Sequence, residues 1–153
     1  MINTKMNTIK IILKNTLLVS FAMLIYFFFL RGFDLDKKPL LRLVNLLFIL
    51  FGINNTIKDN IFYNNEYRYL KNLSIGFSTS LLAVIISLFY LIIYVNFVHP
   101  NFISVLQNSF FLWKNNLSFT SIIFILFIQG TSFSLICSFL IMKYWKNYSN
   151  KII

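Results

Sequence analysis

Residues 119–142 read FTSIIFILFIQGTSFSLICSFLIM and contain no charged side chain. A transmembrane helix needs about 20 consecutive, predominantly apolar residues to cross the hydrocarbon core of a bilayer. This stretch meets that length, and Gln129 is its single amide. It therefore predicts a membrane-spanning helix in the last third of the sequence.

Three further apolar runs precede this one, at residues 11–30, 40–57 and 73–98. The second run is the least apolar, because Arg42 lies near its start and Asn54 and Asn55 lie near its end. The segment from Gly32 to Pro39 is short, so the first two helices are predicted to be antiparallel neighbours. The sequence thus predicts an all-α integral membrane protein, a single domain built as a bundle of four transmembrane helices.

An amphipathic segment separates the third and fourth runs. Within residues 99–118, apolar side chains recur roughly at helical spacing, at Phe102, Ile103, Leu106, Phe110 and Trp113. A helix with one apolar side can lie in the membrane–water interface, with that side toward the acyl chains. We therefore expect an interfacial helix between spans three and four.

The composition agrees with insertion into a membrane. Hydrophobic residues make up 58% of the 153 positions and charged residues 12%, and the mean hydropathy is +0.75. A soluble domain of this length needs more polar side chains to cover its surface. The net charge is +10, but the lysines lie at the ends of apolar runs, unlike those of a nucleic-acid-binding surface. We expect the lipid bilayer, and no nucleic acid, as a partner.

The distribution of Lys and Arg predicts the orientation, because cytoplasmic loops carry an excess of these residues. Nine lie on the side that holds both termini and the second loop: Lys5, Lys10, Lys14, Lys58, Arg68, Lys71, Lys143, Lys146 and Lys151. Five lie on the other side: Arg31, Lys37, Lys38, Arg42 and Lys114. The imbalance predicts that both termini are cytoplasmic.

Two amides in the predicted spans, Gln129 and Asn45, are candidates for a contact between helices. Gln129 is near the middle of span four, where an amide without a hydrogen bond is costly. It predicts an interhelical hydrogen bond that fixes packing, and a solute or ion ligand is the alternative interpretation. Asn45 in span two could satisfy it reciprocally, which would make spans two and four adjacent. Each amide could instead bond to a nearby carbonyl or hydroxyl.

Small residues recur along spans three and four. They are Gly76, Ser80, Ala83 and Ser87 in span three, and Gly130, Ser134 and Ser138 in span four. Small side chains allow close approach of helices in lipid, where no hydrophobic force drives association. The pattern predicts packing between these spans, with a homo-oligomer as the competing interpretation. Arg42 is predicted to anchor span two by extending to the outer headgroups.

The sequence contains no pattern typical of catalysis, of a metal site or of cofactor binding. Cys137 and His99 are the single cysteine and the single histidine, which excludes an intrachain disulfide and any pair of such residues as metal ligands. Transporters commonly carry a carboxylate in mid-membrane, and all four acidic residues lie outside the predicted spans. We expect a non-enzymatic accessory or assembly partner that binds another membrane protein through helix contacts. A small transporter or channel formed by oligomers, lined by Gln129 and Asn45, is the alternative.

With these spans placed, short motifs from most of the chain can be compared with known families. They are Leu41-Arg42 with Asn45, Tyr69-Leu70 before Gly76, Pro100 in a long loop, Gln129-Gly130, and the stretch Ser138 to Tyr144. In this pattern the chain resembles the domain of unknown function 4199 family of small four-span bacterial membrane proteins. An acidic residue is common in the family where Gln129 stands here, which weakens any expectation of proton coupling. The resemblance implies a four-span topology and a bacterial inner-membrane location.

The predicted topology can be tested by cysteine labelling from either side of the membrane. Labels after Lys146 and near Asn64 should react only from the cytoplasm, because both sites lie on the basic side. Labels near Lys37 and Asn108 should react from the opposite side. Reaction of a label near Asn64 from outside would contradict the four-span arrangement.

Overall fold

The computed structural model describes residues 6–33, 35, 41, 44–109 and 117–149, and all regular structure in these ranges is helical. The helices are α1 (Thr8–Gly32), α2 (Val44–Asn64), α3 (Tyr69–Ile93, extended by a π-helical turn over Tyr94–Val98), α4 (Phe102–Ser109) and α5 (Phe119–Ser149). Three stretches are long and apolar enough to cross a membrane, at Thr8–Gly32, Tyr69–Val98 and Phe119–Lys146. The prediction of an all-α protein with transmembrane helices is confirmed to that extent.

The described part of α2 differs from the predicted second run. The helix does not end near residue 57 but continues to Asn64, so Asp59 and Asn60 belong to it. Arg42, the predicted interface anchor, lies outside the described residues. The polar side chains at the end of α2 are accommodated because several of them point into the protein, and Asn60 and Thr56 are fully buried there.

The central pair of the bundle consists of α2 and α3. Each of them packs against the other and against both α1 and α5. On α2 the contact surface includes a stripe of four buried isoleucines, one on each successive helical turn: Ile49, Ile53, Ile57 and Ile61. Residues four apart lie on the same side of a helix, so this stripe forms a continuous apolar seam in the core.

Contacts at both ends fix the direction of each helix. Lys14 of α1 pairs with Asp59 of α2, and the Tyr26 and Phe48 rings meet near the opposite end, so α1 and α2 are antiparallel. In contrast, the Thr16 hydroxyl donates to Thr79 O of α3, and Phe27 stacks edge-on against Tyr94 further along both helices. Because both contacts advance together along the chain, α1 and α3 run in the same direction.

The last long helix runs antiparallel to α3. Gly130 of α5 lies against Val84 of α3, whereas Met142 and Trp145 line a cleft with Tyr69 and Asn72, at the start of α3. The ends of α5 and α2 therefore lie at the same end of the bundle as the start of α1 and α3.

The short helix α4 covers the opposite end of the bundle. Its Phe102 and Leu106 are buried with Tyr94, Val95 and Ile122. The Arg31 guanidinium of α1 lies 5.8 Å from the centroid of the Phe102 ring. The apolar side of α4 thus faces the protein; Phe110 and Trp113, two residues of the predicted interfacial helix, lie outside the described residues.

Glycine allows two of the helix contacts to be close. A β-carbon on Gly52 of α2 would overlap Cγ2 of Val19 in α1, and one on Gly130 would lie 2.7 Å from Cγ1 of Val84 in α3. Valine is stiff about χ1 in a helix, so neither side chain can rotate away at low cost. By contrast, nothing lies within 4 Å of a β-carbon built on Gly32.

We expect Gly52→Ala and Gly130→Ala to lower the free energy of unfolding by roughly 1–3 kcal/mol, the usual cost of overpacking. Gly32→Ala should be neutral or stabilising, because alanine is the better helix former. Thermal unfolding in detergent measures the three effects. Adding Val19→Ala should partly rescue Gly52→Ala, since it removes the overlapping methyl group; additive losses would contradict this account of the contact.

Candidate functional site

Polar side chains concentrate at the end of the bundle where α2 turns into α3. The connection is the four-residue loop from Asn65 to Arg68. Asn65 has a φ of 51°, in the left-handed region that asparagine tolerates better than most residues. The loop therefore reverses the chain tightly and brings the end of α2 against the start of α3.

Three asparagine amides in series join the two helices. Asn64 Nδ2 donates to Asn60 Oδ1 over 2.8 Å, and Asn60 Nδ2 donates to Asn72 Oδ1 over 2.8 Å. Asn72 Nδ2 then donates to the carbonyl of Glu66 over 2.7 Å. Asn60 and Asn72 are fully buried, so these bonds satisfy groups that would otherwise be costly in the interior. The series holds the hairpin without using any group that titrates.

The Glu66 carboxylate sits on the outer side of this hairpin and binds two cations. It accepts from Arg68 Nε at 2.8 Å and from Lys71 Nζ at 2.7 Å. These hydrogen bonds, the one from Arg68 first, hold the pKa of the Glu66 carboxyl well below its ordinary value of 4.5. Two cations and one carboxylate leave the loop with a net positive charge.

A second polar contact ties α1 to the same end of the bundle. Asp59 Oδ2 accepts from Lys14 Nζ at 3.2 Å and from Asn15 Nδ2 at 3.3 Å. Asn15 is 2% exposed and also donates to the carbonyl of Ile11. The carboxylate thus accepts from a cation and from a neutral donor of α1, and these contacts fix the position of α1 against α2.

The same end holds a cleft between the α2–α3 hairpin and α5. It has a volume of about 210 Å³, and its lining residues are Ile61, Tyr67, Tyr69, Asn72, Met142, Trp145 and Lys146. Trp145 is held across the helices because its Nε1 donates to Asn54 Oδ1 at 2.9 Å. The Phe62 ring also meets the Trp145 indole edge-on. The cleft therefore combines aromatic walls with one lysine at its edge.

Several buried hydroxyls of the four long helices bond to the backbone of their own helix. Thr56, Thr79, Ser20 and Ser138 each donate to the carbonyl four residues earlier. Hydroxyls engaged in this way are satisfied locally. These hydroxyls are therefore not free to bind a solute or ion, whereas Ser134 Oγ is buried without a hydrogen-bond partner among the described residues.

The small residues of the third predicted span do not all face α5. A β-carbon on Gly76 would lie 3.0 Å from Cγ2 of Ile53 and 3.1 Å from Cδ1 of Ile57, so Gly76 faces α2. Ser80 and Ala83 are buried, and Ser87 is half-buried. In α5, Gly130 faces Val84 of α3, and Ser134 and Ser138 are fully buried. The glycines thus contribute to two different helix contacts.

The hydrogen bond predicted between Asn45 and Gln129 is absent. Asn45 Oδ1 is buried without a hydrogen-bond partner among the described residues, whereas Gln129 is exposed on the outer side of α5. The reason is the direction of the side chains. Gln129 faces away from the bundle, so its amide does not meet that of Asn45, whose oxygen is buried inside it.

The asparagines of the hairpin and the cleft residues were not predicted from the sequence. Asn60 and Asn64 are spaced four apart on one helix, a spacing that predicts a shared side. The predicted apolar runs end at residue 57 and resume at residue 73, so they placed all three asparagines in a connecting loop. Within the described residues, no group of three or more His, Cys, Asp or Glu side chains could hold a metal ion.

Comparison with known proteins does not extend this description. No family model, no curated protein and no solved structure matches the chain. The resemblance to the domain of unknown function 4199 family therefore remains a prediction from short motifs.

The ion pairs of Glu66 predict how stability depends on pH. The folded-state pKa lies below that of the unfolded chain, so the unfolded chain takes up the proton first as the pH falls. The stability from Glu66 should be complete above its ordinary value near 4.5 and decline below it. Thermal unfolding of Glu66→Gln and the unmodified protein measures this. Their difference should shrink below that pH; a constant difference down to strongly acidic pH would contradict the assignment.

Proposed function

We propose that this chain is a four-span protein of the bacterial inner membrane, with both termini in the cytoplasm. It would act as a non-enzymatic accessory or assembly partner through helix–helix contacts. The observation that carries the proposal is Gln129, which lies near the middle of the uncharged run 119–142 and is exposed rather than buried. The directions of the helices, the apolar outer surface and Gln129 each support the proposal.

The parallel course of α1 and α3 supports a fourth crossing. When two successive membrane-crossing helices run in the same direction, the chain between them must cross back. That chain contains α2, whose 21 residues extend about 31 Å, close to the thickness of the hydrocarbon core. Its lower apolarity is compatible with a crossing, because its polar residues Thr56 and Asn60 are fully buried and only an outer stripe needs to be apolar. Leu47 and Phe51 supply it.

The outer surface of the bundle is apolar to a degree that suits lipid. Only 22–28% of the most apolar stretch of each of the three apolar helices is buried within the protein. The remainder exposes large side chains such as Leu17, Phe89 and Phe124. A soluble monomer rarely exposes apolar patches of this extent. In a bilayer the same apolar surface would contact lipid tails instead of water.

The short helix α4 suits the outer interface. Its eight residues are too few to cross a bilayer, since a crossing needs about 20. Phe102 and Leu106 attach it to the bundle, and Ser104 is exposed. We assign it to the membrane surface opposite the cytoplasm.

Gln129 is a polar residue on the side of α5 that would face lipid. It lies ten residues after Phe119, about 15 Å along the helix and thus close to the bilayer centre. Lipid tails offer an amide no hydrogen-bond partner, whereas a partner helix would restore one, worth about 0.6–2 kcal/mol in a membrane. Ser132, also exposed and almost one turn further on, lets a partner backbone approach. The side of α5 that carries these two residues is therefore the proposed contact surface.

Photo-crosslinking from position 132 tests this contact. A photoreactive residue there should form an adduct with a membrane protein in intact membranes, and Gln129→Leu should reduce its yield severalfold. Gln129→Asn, which keeps an amide, should retain more of it. The same probe at Leu17, exposed on α1, is the matched control. Adducts with lipid alone in both backgrounds would refute the proposed contact. Two differently tagged copies distinguish a homo-oligomer from a different partner.

A further inference from the structure

The cleft between the α2–α3 hairpin and α5 brings aromatic, apolar and cationic side chains together. Its walls are Tyr67, Tyr69 and Trp145, and its apolar floor includes Ile61 and Met142. Tyrosine and tryptophan concentrate at the level of lipid headgroups, where the ring is apolar and the polar atom is hydrated. The lining is therefore that of a site at the membrane surface.

The position of the cleft relative to the bilayer agrees with its aromatic lining. Tyr69 is the first residue of the apolar stretch Tyr69–Val98, and Lys146 is the last residue of Phe119–Lys146. Both residues line the cleft, so it opens where two apolar helices leave the hydrocarbon. A ligand there would have its charged part in the headgroup layer and its apolar part against the floor.

Positive charge surrounds the opening. Lys146 lines the cleft and is exposed. Arg68 and Lys71 adjoin the lining residues Tyr67, Tyr69 and Asn72 in the chain, and Glu66 neutralises only one of these two cations. The start of α3 also lies in the cleft wall, and the N-terminal end of a helix favours negative charge. The three cations and one carboxylate leave a net charge of two positive units.

We propose that this cleft binds the headgroup of an anionic phospholipid. The phosphodiester would pair with Lys146 at the edge, and the glycerol and first methylenes would lie against the aromatic walls and the floor. The site is separate from the contact surface around Gln129 and does not depend on it, because Gln129 lies about 24 Å along α5 from Trp145. The cleft would thus hold one lipid at a defined position, whereas a basic surface attracts anionic lipids without fixing where they bind.

The test compares stabilisation of the purified full-length protein by phosphatidylglycerol and by phosphatidylcholine in mixed micelles. Phosphatidylglycerol should raise the thermal unfolding midpoint more than phosphatidylcholine. Lys146→Gln should weaken the apparent affinity for phosphatidylglycerol about fivefold, the effect of one basic residue at a membrane surface. Lys146→Arg should retain the affinity, which separates loss of charge from loss of fold.

Lys143→Gln is the matched control, because it removes the same charge from an exposed position one turn earlier on α5, outside the cleft lining. It should leave the preference for phosphatidylglycerol unchanged. Equal losses in Lys143→Gln and Lys146→Gln would overturn the site in favour of unspecific charge attraction. No preference between the two lipids would overturn it as well. Inorganic phosphate should not reproduce the stabilisation; if it does, the occupant is a free anion and the lipid assignment fails.

Discussion

At Gly52 the backbone of α2 meets the side chain of Val19 with no space for a β-carbon, and at Gly76 the backbone of α3 meets Ile53 and Ile57 of α2 almost as closely. These close approaches put α2 inside the bundle, in contact with three other helices. Lipid provides no hydrophobic force between helices, so contact area and hydrogen bonds must hold them together. The isoleucine stripe of α2, the amide series of the hairpin and the cleft against α5 all depend on this central position.

The sequence was sufficient to predict the helices that are recognised by the length of their apolar runs. The runs at 11–30, 73–98 and 119–142 correspond to α1, α3 and α5, because about 20 apolar residues have few stable alternatives to a transmembrane helix. It was less informative about α2, since a central helix carries buried amides and hydroxyls that lower its hydropathy. Asn60 resembled a loop residue in the sequence, although it is fully buried and bonded to Asn72.

Predictions about individual contacts depended on which way each side chain faces in the bundle, which the sequence does not contain. The choice of Asn45 as the partner of Gln129 required both side chains to face the same contact, whereas Gln129 is exposed and Asn45 Oδ1 is buried. The small residues of α3 share a spacing, yet Gly76 faces α2, because a helix with three neighbours divides its sides among them. Periodicity identifies a side of a helix, but the neighbour that it meets follows from the whole bundle.

The hydrogen bond between Asn54 and Trp145 has a consequence for biogenesis. The hydrogen bonds of the amides in the α2–α3 hairpin join residues of the hairpin itself, so they can form as soon as α3 has been made. Asn54 Oδ1 instead accepts from a residue 91 positions later in the chain. A nascent chain that ends before α5 therefore has this amide oxygen without its indole donor. The last helix supplies this donor, so the polar contact between α2 and α5 forms only after the whole bundle has been made.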